Sequence, residues 1–81
     1  MTYRLHDEPT IRTVWDSLPP DVSAQLTLAL AQVCNDPLGS TAPYGEDDGV
    51  MRTLVLDHLM AVLYLGHQTK TVHVFQIDYL G

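Results

Sequence analysis

Residues 50–79 read VMRTLVLDHLMAVLYLGHQTKTVHVFQIDY, and this stretch decides the fold. It predicts three strands over residues 51–56, 60–65 and 71–79, joined by a turn at Asp57-His58 and a loop over residues 66–70. The third strand is the clearest, because its side chains alternate with a two-residue period from Val72 to Ile77. The first two runs are almost continuously apolar, which is typical of strands covered on both faces.

The first two runs also fit one helix. Apolar positions from Met51 to Leu63 recur at i, i+3, i+4 and i+7, and Gly66 stands where a helix would end. Leucine, methionine and alanine favour a helix, whereas valine and tyrosine favour a strand. The pattern alone therefore leaves two hypotheses open, a β-hairpin or a small helical protein.

Length and composition indicate one small folded domain spanning residues 1–81. Hydrophobic residues make up 46% of the chain and charged residues 17%, which is typical of a globular protein and not of a disordered one. A core of this size is marginal unless a partner adds burial. No apolar run reaches the ~20 residues of a membrane span, and the first residues lack the pattern of an export signal. Cys34 is the only cysteine, so we expect a cytoplasmic protein without an internal disulfide.

The charge balance argues against nucleic-acid binding by this chain alone. The net charge is −6, and the four basic residues, Arg4, Arg12, Arg52 and Lys70, are scattered along the sequence. Binding to nucleic acid depends on phosphate contacts from clustered lysines and arginines. Four scattered cations do not form such a cluster.

The first half of the chain predicts a short strand over residues 2–6 and then two helices. Acidic residues followed by Pro9 favour a helix start. Pro19-Pro20 separates this helix from a second one, which ends at the Asn-Asp-Pro of residues 35–37 because proline disfavours helix in the residue before it. The element order is β-α-α-β-β-β. This predicts an α+β fold in which a two-helix hairpin packs on one face of a small antiparallel sheet.

Few residues outside these elements suggest chemistry. Residues 38–49 predict a surface loop, and the acidic run Glu46-Asp47-Asp48 predicts a solvated tip; a cation site is the alternative, but the spacing of a calcium loop is absent. The histidines lack the spacing of metal ligands, which predicts surface or half-buried imidazoles; they are His6, His58, His67 and His73. The serines, the glycines and Cys34 lie in no enzyme motif. We expect no metal site and no cofactor.

Three local motifs add to the element order. They are NDP at residues 35–37, DGVMR at residues 48–52 after a polar loop, and AVLY at residues 61–64 at the end of a strand. Together they resemble the RelE/ParE family of toxins from bacterial type II toxin–antitoxin systems. The resemblance favours the hairpin over the helix for residues 51–65.

The resemblance implies a function from which this sequence departs. Nuclease members of the family hold messenger RNA on the ribosome with basic residues on the exposed sheet face. Arg52 keeps the first of these positions, but Leu54, Leu56 and Ala61 stand where further basic residues are expected. The chain ends in IDYLG, where the family usually places a histidine or arginine pair. General acid–base catalysis and phosphate stabilisation need such groups, so we expect the usual nuclease activity to be lost.

Two functional hypotheses follow from the resemblance. Alternation along the strands gives one side to Leu54, Leu56, Ala61 and Leu63, and helices on the other side would leave these residues as an exposed apolar patch. Such a patch predicts binding to an antitoxin-like protein or to a second copy of the chain, as a dimer; the alternative is that loop 38–49 or the C-terminus covers it. The second hypothesis is a ribonuclease toxin with an atypical site, for which the candidates are Arg52, His58, His73 and Tyr79.

Overall fold

The computed structural model describes residues 2–80 and has two layers, a pair of helices and a five-stranded sheet. The sheet has the strand order β1-β5-β4-β3-β2. In chain order the elements are β1 (Arg4–Asp7), α1 (Pro9–Asp16), α2 (Pro20–Asn35), β2 (Ala42–Pro43), β3 (Met51–Val55), β4 (Leu59–Gly66) and β5 (Thr71–Tyr79). No helix among residues 2–80 is long and apolar enough to cross a membrane.

The predicted β-hairpin over residues 51–65 is confirmed, and the helical alternative is wrong. The bounds of β3, β4 and β5 lie within one residue of the prediction. A backbone hydrogen bond of 2.8 Å from Leu56 N to Leu59 O closes the first turn. Lys70, with φ of 56°, ends the loop before β5 in the left-handed conformation. The first turn lies inside residues 51–65, so one continuous helix cannot run through that segment.

The three strands from residue 51 onward pair antiparallel, as predicted, and the parallel strand β1 makes the sheet as a whole mixed. Strand β1 runs parallel to β5, with Arg4 opposite Thr71 and Asp7 opposite Val74. The chain passes through both helices between β1 and the rest of the sheet, and a long crossover of this kind allows parallel pairing. The predicted loop 38–49 also contains a two-residue edge strand, where Pro43 is tolerated because an edge position does not require its missing N–H.

Both helices begin and end as the prolines predict. Pro9 and Pro20 each lie in the first turn of a helix. A backbone N–H has no acceptor within the helix there, so the missing N–H of proline costs no hydrogen bond. Each helix turns one apolar stripe towards the sheet, and the buried residues of these stripes are Ile11, Trp15, Val22, Leu26, Leu30, Val33 and Cys34. The two-helix layer on one sheet face is therefore confirmed.

The face of the sheet that the helices cover is the opposite of the predicted one. Leu54 is 6% exposed, and Ala61 and Leu63 are fully buried in the core, while Leu56 is partly buried against it. These residues share their face with the large apolar side chains of β4 and β5, so covering this face removes the most apolar area from water. The prediction that they form an exposed docking patch is wrong.

The uncovered face, which we call the open face, carries a β-bulge. Val62 pairs with Gln76 and Leu63 pairs with Val74, so Phe75 has no partner on β4. The extra residue allows Val74 and Ile77, three positions apart, to face the same core. Phe75 is left 68% exposed.

Candidate functional site on the open face

Arg52, the predicted basic residue of β3, lies on the helix-covered face. Its side chain is 7% exposed. The guanidinium donates hydrogen bonds to Thr41 Oγ1 (2.9 Å), Thr41 O (2.9 Å), Leu38 O (3.2 Å) and Asp47 Oδ1 (3.3 Å). Arg52 therefore anchors loop 38–49 to the sheet, and its donors are not directed at the open face.

The other three predicted catalytic candidates lie in two places. His58 is exposed in the turn between β3 and β4, and Tyr79 lies opposite Leu59 at the same end of the sheet. Leu80 N donates to His58 O at 2.7 Å, which holds the chain end beside this turn. His73 pairs with Tyr64, which is five residues along β4 from Leu59, or about 16 Å at the rise of a strand. The structure does not bring the four candidates together.

His73 instead belongs to an aromatic cleft on the open face. The register places His6, His73 and Tyr64 in one row across β1, β5 and β4. The ring centroids of His6 and His73 are 4.9 Å apart, and those of Tyr64 and His73 are 5.7 Å apart. With Glu8 and Phe75, these rings line a cavity of about 300 Å³. We call this cavity the aromatic cleft.

Each imidazole of the aromatic cleft has one polar contact. His6 Nε2 lies 3.3 Å from Glu8 Oε1, and His73 Nε2 lies 3.1 Å from Thr71 Oγ1. The two imidazole planes are tilted by 57°, and each ring nitrogen can donate or accept a hydrogen bond beside the carboxylate. Among the described residues, no three histidine, cysteine or acidic side chains are grouped as metal ligands.

A second cavity, of about 460 Å³, adjoins the aromatic cleft and shares Tyr64 and His73 with it. Its wall includes His67, whose Nε2 lies 2.6 Å from Gly49 O and whose Nδ1 lies 2.6 Å from the Tyr3 hydroxyl. A carbonyl oxygen only accepts, so Nε2 carries a proton and donates it; in a neutral imidazole, Nδ1 then accepts from Tyr3. His67 thus joins three segments of the chain and has a structural role.

The lining of the aromatic cleft carries one acidic side chain, and an exposed arginine, Arg4, lies on the same open face, two residues before His6 on β1 and opposite Thr71. Arg52 is buried, and Arg12 Nε lies 2.9 Å from Asp7 Oδ2 with its guanidinium over Trp15. Within the described part of the chain, the one charged side chain lining the aromatic cleft is Glu8, which is 67% exposed. The lining itself therefore offers a carboxylate to a cation, whereas Arg4 lies outside the lining on the same face.

Cys34 is unsuited to nucleophilic catalysis. It is buried in the core at the end of α2, and this burial raises the pKa of its thiol. A buried thiol that resists ionisation is a poor nucleophile. Cys34 therefore packs as a small apolar residue.

The acidic tip also has a structural function. The carboxylate of Asp48 accepts from Val50 N at 2.9 Å and from Met51 N at 3.2 Å, and these bonds lower its pKa. The bonds stabilise the ionised form and fix the approach to β3. Asp47 pairs with Arg52, so the predicted solvated tip contacts the sheet through two of its acids.

We expect Asp48→Asn to weaken the dependence of stability on acid pH. A carboxyl whose pKa is lower in the folded state stabilises that state above its unfolded pKa of about 3.9, and this contribution is lost as the pH falls through the folded value. The difference in unfolding free energy between wild type and variant should be largest at neutral pH and shrink in acid. Urea unfolding at a series of pH values measures it. Glu46→Gln, at an exposed neighbouring acid, is the control; an equal effect there would contradict the role of Asp48.

Comparisons with known proteins follow from this geometry. Two helices on one face of a five-stranded mixed sheet make an α+β fold, and the likeness to solved structures shows that this is the RelE fold. No protein-family model matches the sequence, and no curated protein does. The likeness lies in solved structures, at identities of 13–21%, where it shows the fold.

Three solved structures illustrate the likeness. The toxin–antitoxin complex RelBE2 of Mycobacterium tuberculosis gives a TM-score of 0.83 at 18% identity, covering 98% of this chain and 99% of that one. The isolated RelE toxin of E. coli gives 0.81 at 20% identity, covering 98% and 85%. The archaeal RelE–RelB complex of Pyrococcus horikoshii gives 0.77 at 13% identity, covering 100% and 98%.

The sequence missed two residues of the aromatic cleft, His6 and Tyr64. Both were visible as polar-tipped side chains on predicted strands, but their position beside His73 depends on the pairing of β1 with β5. Nothing in the local pattern specifies a parallel pairing between segments more than 60 residues apart. Two further lining residues, Glu8 and Phe75, were also missed. Alternation already places Phe75 on the side of His73, and the bulge reverses the sides of Gln76 and Ile77.

Proposed function

We propose that this RelE-fold chain acts by binding another protein, an antitoxin-like partner, and that it does not cleave RNA. The observation that carries the proposal is the lack of a basic side chain in the aromatic cleft, as far as residues 2–80 are concerned. The RelE-fold proteins of M. tuberculosis and P. horikoshii were solved in complex with antitoxins. An antitoxin-like partner therefore fits a chain with the RelE fold.

The charges argue against a ribonuclease. Cleavage of a phosphodiester needs cations or other donors that stabilise the developing negative charge, and RNA binding needs phosphate contacts. The guanidinium of Arg52 donates its hydrogen bonds to loop 38–49, and Arg12 is paired with Asp7. With a net charge of −6, the chain repels a polyanion.

Exposed apolar side chains support a protein partner. Phe75 and Val55 on the open face are 68% and 67% exposed, and Leu28 on α2 is 68% exposed. Burying such area contributes about 25 cal/mol per Å², and a domain of this size gains little from its own core. A second copy of the chain is the alternative partner.

One observation favours a ribonuclease as the second candidate. The adjacent His6 and His73 provide two imidazoles within a cleft that also holds Tyr64. One imidazole could take the proton of a ribose 2′-hydroxyl as that oxygen attacks the adjacent phosphorus. The other could protonate the 5′-oxygen as its bond to phosphorus breaks, which leaves a 2′,3′-cyclic phosphate and a 5′-hydroxyl. This site differs from the one that Arg52, His58 and Tyr79 would form.

We expect the purified chain to leave RNA intact, with or without ribosomes, because no cation in the cleft stabilises the phosphate. Primer extension on a translated messenger RNA measures cleavage, and His73→Ala is the matched variant. Ribosome-dependent cleavage that His73→Ala abolishes would contradict the proposal and support the second candidate.

The partner is tested separately. The product of a small reading frame beside this one should co-elute with the chain in size exclusion with light scattering, at a mass that fits a complex. A stable homodimer without such a product would favour self-association. A monomer that binds neither would contradict the protein-binding function.

A further inference from the structure

We propose that the aromatic cleft is a docking pocket for an arginine side chain on a basic segment of the partner protein. The inference rests on the proposed function, since it needs a protein partner. The partner would present an arginine side chain to the open face. Three features of the cleft carry it: its walls, its size and its charge.

The walls are flat rings. His6, His73 and Tyr64 are held in one row by strand pairing, and Phe75 stands at the edge of the same cavity. The bulge leaves Phe75 without a cross-strand partner, and bulges commonly direct a side chain towards a binding site. A guanidinium is planar and stacks on aromatic faces, where a cation is attracted to the ring.

The size suits one side chain. The cavity of about 300 Å³ lies at the small end of the range for ligand pockets. The adjoining cavity of about 460 Å³ continues from Tyr64 and His73 towards Val50 and Gln68. A peptide segment therefore has room to extend from the anchored side chain across the open face.

The charge selects a cation. Glu8 precedes α1 at the N-cap position, and its side chain makes no capping hydrogen bond. Its contact is with His6 at 3.3 Å, and it is 67% exposed, so the carboxylate can accept from a bound guanidinium. Arginine pairs with a carboxylate through two parallel hydrogen bonds, whereas lysine offers a point charge without a flat face.

Other occupants fit less well. A nucleotide would stack on the same rings, but among the described residues the lining of the cleft offers its phosphate a carboxylate and no cation, since Arg4 lies outside the lining. An aliphatic anchor would cover Phe75 but leave Glu8 without a partner of opposite charge. An arginine side chain can stack on the rings and pair with the carboxylate of Glu8 at the same time.

The direct test is a titration of the 15N-labelled chain with N-acetyl-arginine amide, followed by NMR. We expect saturable shifts at the backbone amides of Tyr64, His73 and Phe75. N-acetyl-lysine amide, N-acetyl-leucine amide and AMP are the comparison probes. The arginine probe should bind about fivefold more tightly than the lysine probe, the equivalent of one hydrogen bond.

Two variants assign the site. Glu8→Gln should weaken the arginine probe about fivefold, since it removes the charge from one charge-assisted contact. Phe75→Leu keeps the apolar area but removes a flat ring, and it should also weaken binding. Both positions are exposed, so the fold should persist. Glu46→Gln removes the same charge from the loop tip and should leave binding unchanged.

Each contrary result is decisive. Equal or tighter binding of the leucine probe would replace the arginine pocket by an apolar anchor site. Saturation by AMP alone would replace it by a nucleotide site and favour the ribonuclease candidate. If no probe saturates, the pocket is wrong, while co-elution with a partner would still uphold the proposed protein-binding function.

Discussion

Leu63→Glu is expected to unfold the chain. Leu63 is fully buried at the centre of the helix-covered face, so the variant loses packing worth about 2–5 kcal/mol and also buries a carboxylate without a partner. Globular domains have about 0.05–0.15 kcal/mol of stability per residue, or roughly 4–12 kcal/mol for a chain of this length. The loss is comparable to the whole stability.

Thermal and urea unfolding followed by circular dichroism measure this effect. Val55→Glu is the matched control, because Val55 lies on the open face of β3 and is 67% exposed. It should change the unfolding midpoint little. A cooperative transition of Leu63→Glu near the wild-type midpoint, or a larger loss in Val55→Glu, would mean that the helices cover the other face.

This contrast explains which part of the fold the sequence could predict. The strands and turns of residues 50–79 are local, because alternation and turn residues act within a few positions. The face of the sheet that the helices cover is not determined by local sequence. Strand β4 is apolar on both sides, with Met60 and Val62 opposed to Ala61 and Leu63, so alternation assigns the residues to two faces without saying which one the helices cover.

The candidate site was less predictable, because it depends on pairing between distant segments. His73 was identified as a candidate from its residue type, but its neighbours come from β1 and β4. The expected exposed patch was wrong for the same reason, since the side on which α1 and α2 pack decides its exposure. The acidic charge was readable directly, and it carries the argument against RNA.

Arg52 shows a second limit of sequence reasoning. Arginine is rarely buried, so a lone arginine on a strand suggests an exposed, functional group. Here two backbone carbonyls and a hydroxyl of loop 38–49 satisfy it. No pattern in the sequence of loop 38–49 indicates that its oxygens accept hydrogen bonds from a buried arginine.

Arg52→Ala is therefore expected to cost about 2–4 kcal/mol of unfolding free energy. The variant leaves Leu38 O and Thr41 O without their donor, and each buried group without a partner costs about 1–3 kcal/mol. Urea unfolding measures the loss, and limited proteolysis should show faster cutting within residues 38–49. Arg4→Ala, at an exposed arginine of β1, is the control and should change stability by less than about 0.5 kcal/mol.

The source of the loss is tested by a third variant. Asp47 is 78% exposed in its side chain, so its ion pair with Arg52 is screened by water and should contribute less than about 1 kcal/mol. Asp47→Ala should thus be much milder than Arg52→Ala. Equal effects would mean that the ion pair, and not the carbonyl contacts, holds the loop. Because Arg52→Ala loosens the fold in either case, a loss of activity in that variant would not identify Arg52 as catalytic; His73→Ala on the open face is the variant that tests catalysis.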